Sequence, residues 1–149
     1  MSENARNIYK TARRAAGYTQ EAAAEMMNLS VESLRAYETG RRIPAGDIVL
    51  QMVTCYDAQR LAVQHLQETS ALFNSVVPNL EERTLLETAV RIYNRMRRFK
   101  EAGRLDQLLA IAEDGVVDED ERSEFYAIVE DLRQIIKSGL ELEVFCGGQ

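Results

Sequence analysis

The sequence contains few of the residues on which metal centres, disulfide frameworks and catalytic triads depend. It has two cysteines, one histidine and no tryptophan. Two cysteines are too few for a disulfide framework or a four-ligand zinc site, and a single histidine excludes most metal sites and catalytic triads. No nucleophile has a neighbouring base, and no glycine-rich loop is placed to cradle a phosphate. We therefore expect a protein that is not an enzyme and that needs no metal and no cofactor.

Long apolar runs are also missing. A helix that crosses a bilayer needs about 18 consecutive apolar residues, and the sequence has neither such a run nor a hydrophobic signal core at its N-terminus. With 46% hydrophobic and 28% charged residues, the composition is that of an ordinary globular protein. These features predict a soluble, cytoplasmic chain that does not contact membranes.

An excess of positive charge is absent as well. The chain has 18 Lys and Arg against 24 Asp and Glu, a net charge of -6. Residues 1–58 hold 7 basic and 7 acidic side chains, so the whole acidic surplus lies in residues 59–149. A uniformly basic coat for nucleic acid is excluded, and any binding to DNA must come from a local patch.

The apolar residues recur with helical rather than strand periodicity, and hairpin signals are missing between the two prolines, Pro44 and Pro78. We predict an all-α fold. About five short helices are expected in residues 5–58, followed by helices near 59–75, 80–101, 105–113 and 119–142.

Several helix ends carry recognisable sequence signals. Thr19 and Ser30 are predicted N-caps, since their hydroxyls can accept hydrogen bonds from free backbone N–H groups. Two further pairs have capping-box spacing, Asn79 with Glu82 and Asp118 with Glu121. Glycines that accept a left-handed conformation are predicted to end helices at Gly17, Gly40 and Gly115.

The segment Gln20–Tyr37, QEAAAEMMNLSVESLRAY, meets the steric requirements of two helices that cross steeply through a short turn. The crossing needs a small residue, the turn needs a residue that tolerates a positive φ, and the second helix must bury apolar side chains. The residues that meet these needs are Ala24 at the crossing, Asn28 and Leu29 in the turn, and Leu34 and Tyr37 on the buried face.

This segment and its flanks, AGYTQ at 16–20 and YETGRRIP at 37–44, resemble the Xre family of helix-turn-helix DNA-binding regulators, the Cro-like and phage-repressor-like proteins. The resemblance covers about residues 8–57. It implies a lambda-repressor-like five-helix DNA-binding module at 1–58, followed by a C-terminal helical region at 59–149 that dimerises or receives a partner.

The resemblance also implies roles for individual residues. The recognition helix would be Val31–Thr39, lying in the major groove. Its outward positions would be Val31, Glu32, Ser33, Arg35 and Ala36. Gln20, Arg41 and Arg42 would contact DNA phosphates, and Arg13 with Glu38 would form a structural pair that ties the first helix to the recognition helix.

Two early positions of the predicted recognition helix depart from the family pattern. Val31 and Glu32 stand where a Gln or Arg able to form bidentate bonds with a base is common. Valine can only pack on a thymine methyl group, and glutamate can accept from cytosine N4 but is repelled by phosphates. We expect either narrow recognition weighted toward thymine and cytosine, or modest affinity that depends on Arg35, Arg41 and Arg42.

The C-terminal region contains two apolar stripes and one cationic stripe. The first apolar stripe is predicted as a bundle core: Leu85, Ala89, Ile92, Met96 and Phe99. The second suits either an interface or an internal core: Phe125, Ile128, Val129, Leu132, Ile135, Ile136 and Leu140. The cationic stripe consists of Arg91, Arg95 and Arg98, joined by Arg97, Lys100 and Arg104. It could contact DNA, although pairing with the acidic residues of 106–143 is favoured.

The functional hypothesis is a sequence-specific transcription regulator of the phage or mobile-element type, expected to be a repressor. It would bind the major groove of double-stranded DNA as a homodimer, because two half-sites multiply modest affinities. The alternative is a protein-interaction adaptor that reuses the fold, binds little DNA and meets a protein partner through its C-terminal region.

Overall fold

The computed structural model describes residues 7–147, and every regular element in this range is helical. The α-helices are Ile8–Ala15 (α1), Gln20–Met26 (α2), Val31–Glu38 (α3), Gly46–Tyr56 (α4), Gln59–Thr69 (α5), Ala71–Val76 (α6), Leu85–Glu101 (α7), Arg104–Ile111 (α8) and Arg122–Glu141 (α9). A π-helical segment, Leu142–Cys146, continues α9. The predicted all-α fold is confirmed for these residues.

The described residues form two compact units, and the division falls between Val76 and Val77. The first unit contains α1–α6 around one apolar core. The buried members of this core are Ile8, Tyr9, Ala23, Ala24, Met27, Leu34, Tyr37, Val49, Met52, Val53, Tyr56 and Leu61. Residues 7–58 hold four helices instead of about five, and the fifth helix of the module is α5, which contributes the fully buried Leu61. The functional division at residue 58 stays a prediction, but α5 packs with the first unit.

Most predicted helix ends occur where expected. The hydroxyls of Thr19 and Ser30 accept hydrogen bonds from the backbone of Ala22 and Ser33, at 3.1 Å each. The predicted glycines Gly17, Gly40 and Gly115 all have positive φ. Asp118 and Glu121 exchange the two predicted backbone–side-chain hydrogen bonds, at 2.9 and 3.3 Å.

Two predicted helix boundaries were wrong. The long helix α7 begins at Leu85, not near residue 80, because Thr84 and Glu87 form its capping box in place of Asn79 and Glu82. The single helix expected over 59–75 is interrupted at Ser70, whose extended backbone ends α5 and whose hydroxyl accepts from the N–H of Phe73.

The second unit contains α7–α9 around a smaller core. Its buried members are Phe99, Ile111 and Ile128, and its half-buried members are Leu108, Val117, Phe125, Leu132 and Ile135. The apolar stripe of α9 therefore supplies mainly an internal core. The predicted core stripe of α7 was largely wrong, since Leu85, Ala89 and Met96 are exposed and only Phe99 is buried.

The arginines of the cationic stripe have mixed environments. Arg95 donates to the backbone carbonyl of Gln134 on α9 at 2.7 Å and also to the buried hydroxyl of Ser138. Arg104 pairs with Asp131 at 2.7 Å, as the acidic-pairing alternative predicts, whereas Arg91 and Arg98 are exposed. These contacts give Arg95 and Arg104 structural roles.

Within residues 7–147, none of the helices combines the length and the apolar character that crossing a bilayer would require.

Candidate nucleic-acid interface

Helices α2 and α3 are joined by a tight turn at Asn28 and Leu29. Asn28 has a φ of 52°, the left-handed conformation that its short polar side chain tolerates. The N–H of Leu29 donates to the carbonyl of Ala24 at 2.8 Å, and the side chain of Leu29 packs against the core. Ala24 is 1% exposed, so the two helices approach closely at this position. Each steric requirement that the sequence met is therefore used in the structure.

Helix α3 is amphipathic. Leu34 and Tyr37 are buried in the core, while Glu32 and Arg35 on the other side are exposed. Three further predicted contact residues, Val31, Ser33 and Ala36, are half-buried. Val31 packs against the core, and the hydroxyl of Ser33 accepts from that of Ser30 at 2.9 Å. Among the predicted outward positions of α3, Glu32 and Arg35 thus have the most accessible side chains.

A buried ion pair holds α3 against α1. The Nε and Nη2 atoms of Arg13 donate to the two carboxylate oxygens of Glu38 at 2.6 and 2.9 Å, and the remaining Nη1 donates to the carbonyl of Tyr18. Both residues are buried, at 6% and 4% exposed. Such bidentate geometry combines charge with directional hydrogen bonds. The structure therefore contains the pair that the resemblance implied.

The Glu38 carboxylate stays ionised although the side chain is buried. Burial by itself raises the pKa of the Glu38 carboxyl, but the hydrogen bonds from Arg13 and Gln20 outweigh this effect and hold the pKa below its usual value. The side-chain hydrogen bond to Glu38 likewise raises the pKa of Arg13. Both partners of the pair are consequently charged at pH 7.

Gln20 is placed as a partner of this ion pair. Its Nε2 donates to Oε2 of Glu38 at 2.8 Å, and its side chain is half-buried. One of its two amide hydrogens is therefore committed inside the protein. The predicted phosphate contact stays a prediction, and it would have to use the other hydrogen.

An acidic side chain lies between two of the predicted DNA-binding arginines. Glu32 accepts from Nη1 of Arg35 and from Nη2 of Arg41, at 3.3 Å each. Nε of Arg41 also donates to the hydroxyl of Thr39, at 3.2 Å. All three charged side chains are exposed, so these ion pairs are weak and can exchange with other partners.

Arg42 is held at the C-terminal end of α3. Its guanidinium carbon lies 5.3 Å from the ring centroid of Tyr37, a cation–π distance, and its backbone N–H donates to the carbonyl of Ala36. The side chain remains exposed. Arg41 and Arg42 thus form a small cationic patch beside the C-terminal end of α3.

Residues 10–58 match the family model described as helix-turn-helix. These residues are a helix-turn-helix domain. The match confirms the predicted Xre-type resemblance over this part of the chain, and helix-turn-helix domains are characteristic of DNA-binding regulators. Searches of curated proteins and of solved structures found no significant match to the chain.

Two contacts that support the helix-turn-helix domain were not predicted. The amide of Asn7, which also caps α1, donates to the carbonyl of Tyr37 at 2.8 Å. The hydroxyl of Tyr9 lies 2.8 Å from Nδ1 of His65 on α5, and both side chains are buried. Asn7 carried a usable signal, an asparagine directly before an apolar-periodic segment, but nothing local linked Tyr9 to a residue 56 positions away.

Burial lowers the pKa of His65, and the nearby Glu68 only partly opposes this effect. The imidazole is therefore neutral at pH 7, which allows it to exchange a hydrogen bond with the Tyr9 hydroxyl without burying a charge. This contact fixes α5 to the helix-turn-helix domain.

Proposed function

We propose that this chain is a sequence-specific, DNA-binding transcription regulator that acts as a repressor, with α3 as the recognition helix in the major groove. The observation that supports this most is the two-sided character of α3. One side is anchored in the core through Leu34, Tyr37 and the buried Arg13–Glu38 pair. The other presents exposed charged side chains, and the two arginines of the patch follow directly.

Phosphate contacts from Arg41 and Arg42 would position the domain on the duplex without reading its sequence. Little net positive charge accompanies them, because residues 1–58 carry as many acidic as basic side chains. Each neutralised phosphate releases counterions and steepens the salt dependence of binding. A single domain would consequently bind DNA with modest affinity, and a homodimer that occupies two half-sites on double-stranded DNA would overcome this limit.

Base recognition would depend on Arg35 and Glu32. An arginine can donate two hydrogen bonds to guanine, and a glutamate can accept one from cytosine N4. Val31 offers an apolar contact for a thymine methyl group, although part of its side chain packs inward. Because Glu32 also pairs with Arg35 and Arg41, base contact by Glu32 requires these ion pairs to rearrange.

The test is binding to mixed-sequence duplex DNA at about 50 and 200 mM salt. The wild-type chain should bind at the lower salt and lose affinity at the higher. Replacing Arg41 and Arg42 together by alanine should weaken binding on all sequences and reduce the salt slope by about two. The matched control replaces Arg122 and Arg133, two arginines of α9, and should change little. Equal losses from both double variants would refute the phosphate assignment.

A second candidate, a protein-interaction adaptor, is favoured by one specific observation. Glu32 pairs with two of the three cations that DNA binding would need. Absence of any binding at about 50 mM salt would support this candidate. For a regulator, selecting bound duplexes from a random DNA pool should instead yield a defined operator, with pseudo-twofold symmetry if the homodimer binds.

A further inference from the structure

The second unit exposes more large apolar side chains than it buries. Within the described residues, it buries four, namely Leu80, Phe99, Ile111 and Ile128. It exposes eleven, namely Leu85, Leu86, Val90, Tyr93, Met96, Leu105, Leu109, Val116, Tyr126, Val129 and Ile136. The first unit shows the opposite balance, with ten buried and six exposed. A large contiguous apolar surface marks an interaction site.

The exposed apolar residues of α7 form one continuous face. Leu86, Val90 and Tyr93 follow at i, i+4 and i+7, and Leu85 and Met96 widen the same side of the helix. Their exposed fractions lie between 49% and 73%. The opposite side of α7 is buried through Thr88 and Phe99. We call these five exposed residues the α7 face.

We propose that the α7 face packs against the α7 face of a second copy of this chain, with the two helices antiparallel. Its size supports this. At roughly 100–150 Å² for each half-exposed large side chain, the five together expose roughly 600 Å². Specific protein interfaces bury ~600 to ~1,000 Å² per partner, so the α7 face reaches the lower end of this range.

The charges at the two ends of α7 favour an antiparallel over a parallel arrangement of two copies. Residues 81–87, which lead into α7, carry three acidic side chains and one basic, whereas the last turns of the helix expose Arg97, Arg98 and Lys100 against one acidic side chain, Glu101. An antiparallel pair related by a twofold axis brings the acidic end of each helix to the basic end of the other. A parallel pair would place like charges together. The charged residues at the two ends of the α7 face are thus complementary to those of a second, antiparallel copy.

The other exposed apolar residues of the second unit do not form an equivalent face. On α8 only Leu105 and Leu109 share a side. On α9, Tyr126, Val129 and Ile136 are interspersed with Arg122 and Arg133 on the same side of the helix. These positions therefore provide matched controls for the α7 face.

The inference rests on the proposed function in one respect, since the antiparallel pair is what would join two recognition helices for binding to a symmetric operator. The self-association itself can be measured without DNA. A chain that dimerises through the α7 face but fails to bind DNA would refute the proposed regulatory function without refuting the proposed dimer interface.

The test measures self-association of the full chain by sedimentation velocity from about 1 to 100 µM, the range of moderate affinities. The wild-type chain should be a dimer. Replacing Leu86 and Tyr93 together by glutamate should weaken the association by roughly 100-fold or more, since dimerisation would bury unpaired charges. The control variant, Leu109→Glu with Tyr126→Glu, changes equally exposed residues on α8 and α9 and should remain dimeric. Circular dichroism checks that both variants are folded.

A second measurement uses a milder change. The background is a chain in which Cys55 and Cys146 are replaced by serine. There, Ala89→Cys, an exposed position of α7 next to Val90 of the α7 face, should form an intermolecular disulfide under mild oxidation, whereas the exposed Ala110→Cys on α8 should not. A wild-type chain that is monomeric at about 100 µM, or a control that dissociates as readily as the α7 variant, would overturn the proposal. A folded α7 variant that remains dimeric, or equal cross-linking at the two positions, would overturn it as well.

Discussion

At the scale of single residues, the arrangement depends most on the buried bond between Arg13 and Glu38. Replacing Glu38 by glutamine would leave the Arg13 guanidinium buried without its counter-charge. We expect this change to lower the free energy of unfolding by about 3–5 kcal/mol. Glu25→Gln, on the exposed side of α2, should change it by less than about 0.5 kcal/mol. Urea denaturation at pH 7 measures both variants, and equal effects would contradict the structural role of the pair.

The same pair predicts a loss of stability in acid. Because the folded state holds the pKa of Glu38 below its usual value, the unfolded state binds a proton more readily. The stabilisation is therefore complete above the unfolded pKa of about 4.3 and is lost as the pH falls through the lower folded value. The urea midpoint of the wild-type chain should decrease in this range, and Glu38→Gln should lack this part of the decrease.

Under the proposed function, Glu32 limits the positive charge that α3 would offer to DNA. Glu32→Gln removes the carboxylate that pairs with Arg35 and Arg41. We expect tighter binding to mixed-sequence duplexes, by about two- to fivefold given the small energies of exposed ion pairs, together with an altered base preference. Fluorescence anisotropy on random and selected duplexes measures both effects. Glu25→Gln removes the same charge from α2 and should have a smaller effect, and unchanged affinity of Glu32→Gln would exclude the competition.

At the scale of elements, two glycines should respond in opposite directions to the same substitution. Gly40 has a φ of 74° just after α3, a conformation that disfavours any side chain, whereas Gly46 opens α4 without a positive φ and has open space around it. Gly40→Ala should lower the free energy of unfolding by about 1–2 kcal/mol, and Gly46→Ala should raise it by about 0.5–1 kcal/mol. Thermal denaturation separates the two, and a shift of the same sign in both variants would contradict the assignment.

The elements that were predicted well are those whose determinants lie close together in the sequence. The turn at Asn28, the caps at Thr19 and Ser30 and the break after Gly40 each depend on residues within one or two helical turns. The start of α7 was misplaced because Asn79–Glu82 and Thr84–Glu87 both have capping spacing, and only the packing of the whole helix decides between them. Local spacing alone could not make this choice.

The candidate site was predictable to a similar degree. The Arg13–Glu38 pair and the placement of Arg41 and Arg42 just after α3 followed from the resemblance to the Xre family. The hydrogen bonds that link Gln20 to Glu38 and Arg41 to Glu32 were not predicted. Each depends on the conformation that a long polar side chain adopts between two parts of the structure. The exposure of Leu85 and Met96 could not be predicted from the sequence either. An apolar stripe on a helix has the same sequence pattern whether it faces the protein's own core or the solvent.

At the scale of the whole molecule, α5 completes the first unit. A chain that ends at residue 58 loses the fully buried Leu61 and the bond between Tyr9 and His65. Deleting one buried leucine side chain costs about 2–5 kcal/mol, a large share of the ~5–15 kcal/mol that stabilises a typical domain. We expect the 1–58 fragment to lack a cooperative thermal transition by circular dichroism and the 1–76 fragment to show one. A fragment 1–70 lacks only α6, which buries no residue, and should behave like 1–76.

The bond from Asn7 to the backbone of Tyr37 has a practical consequence for protein production. Because this bond fixes Asn7 at the end of α3, a purification tag fused upstream of Met1 is separated from that end by only six residues of the sequence, and Arg41 and Arg42 follow α3 directly. Its charges could then compete with DNA or screen it from the patch, and affinities measured on such a fusion would report partly on the tag. Placing the tag downstream of residue 149, or cleaving an upstream one completely, removes this source of error.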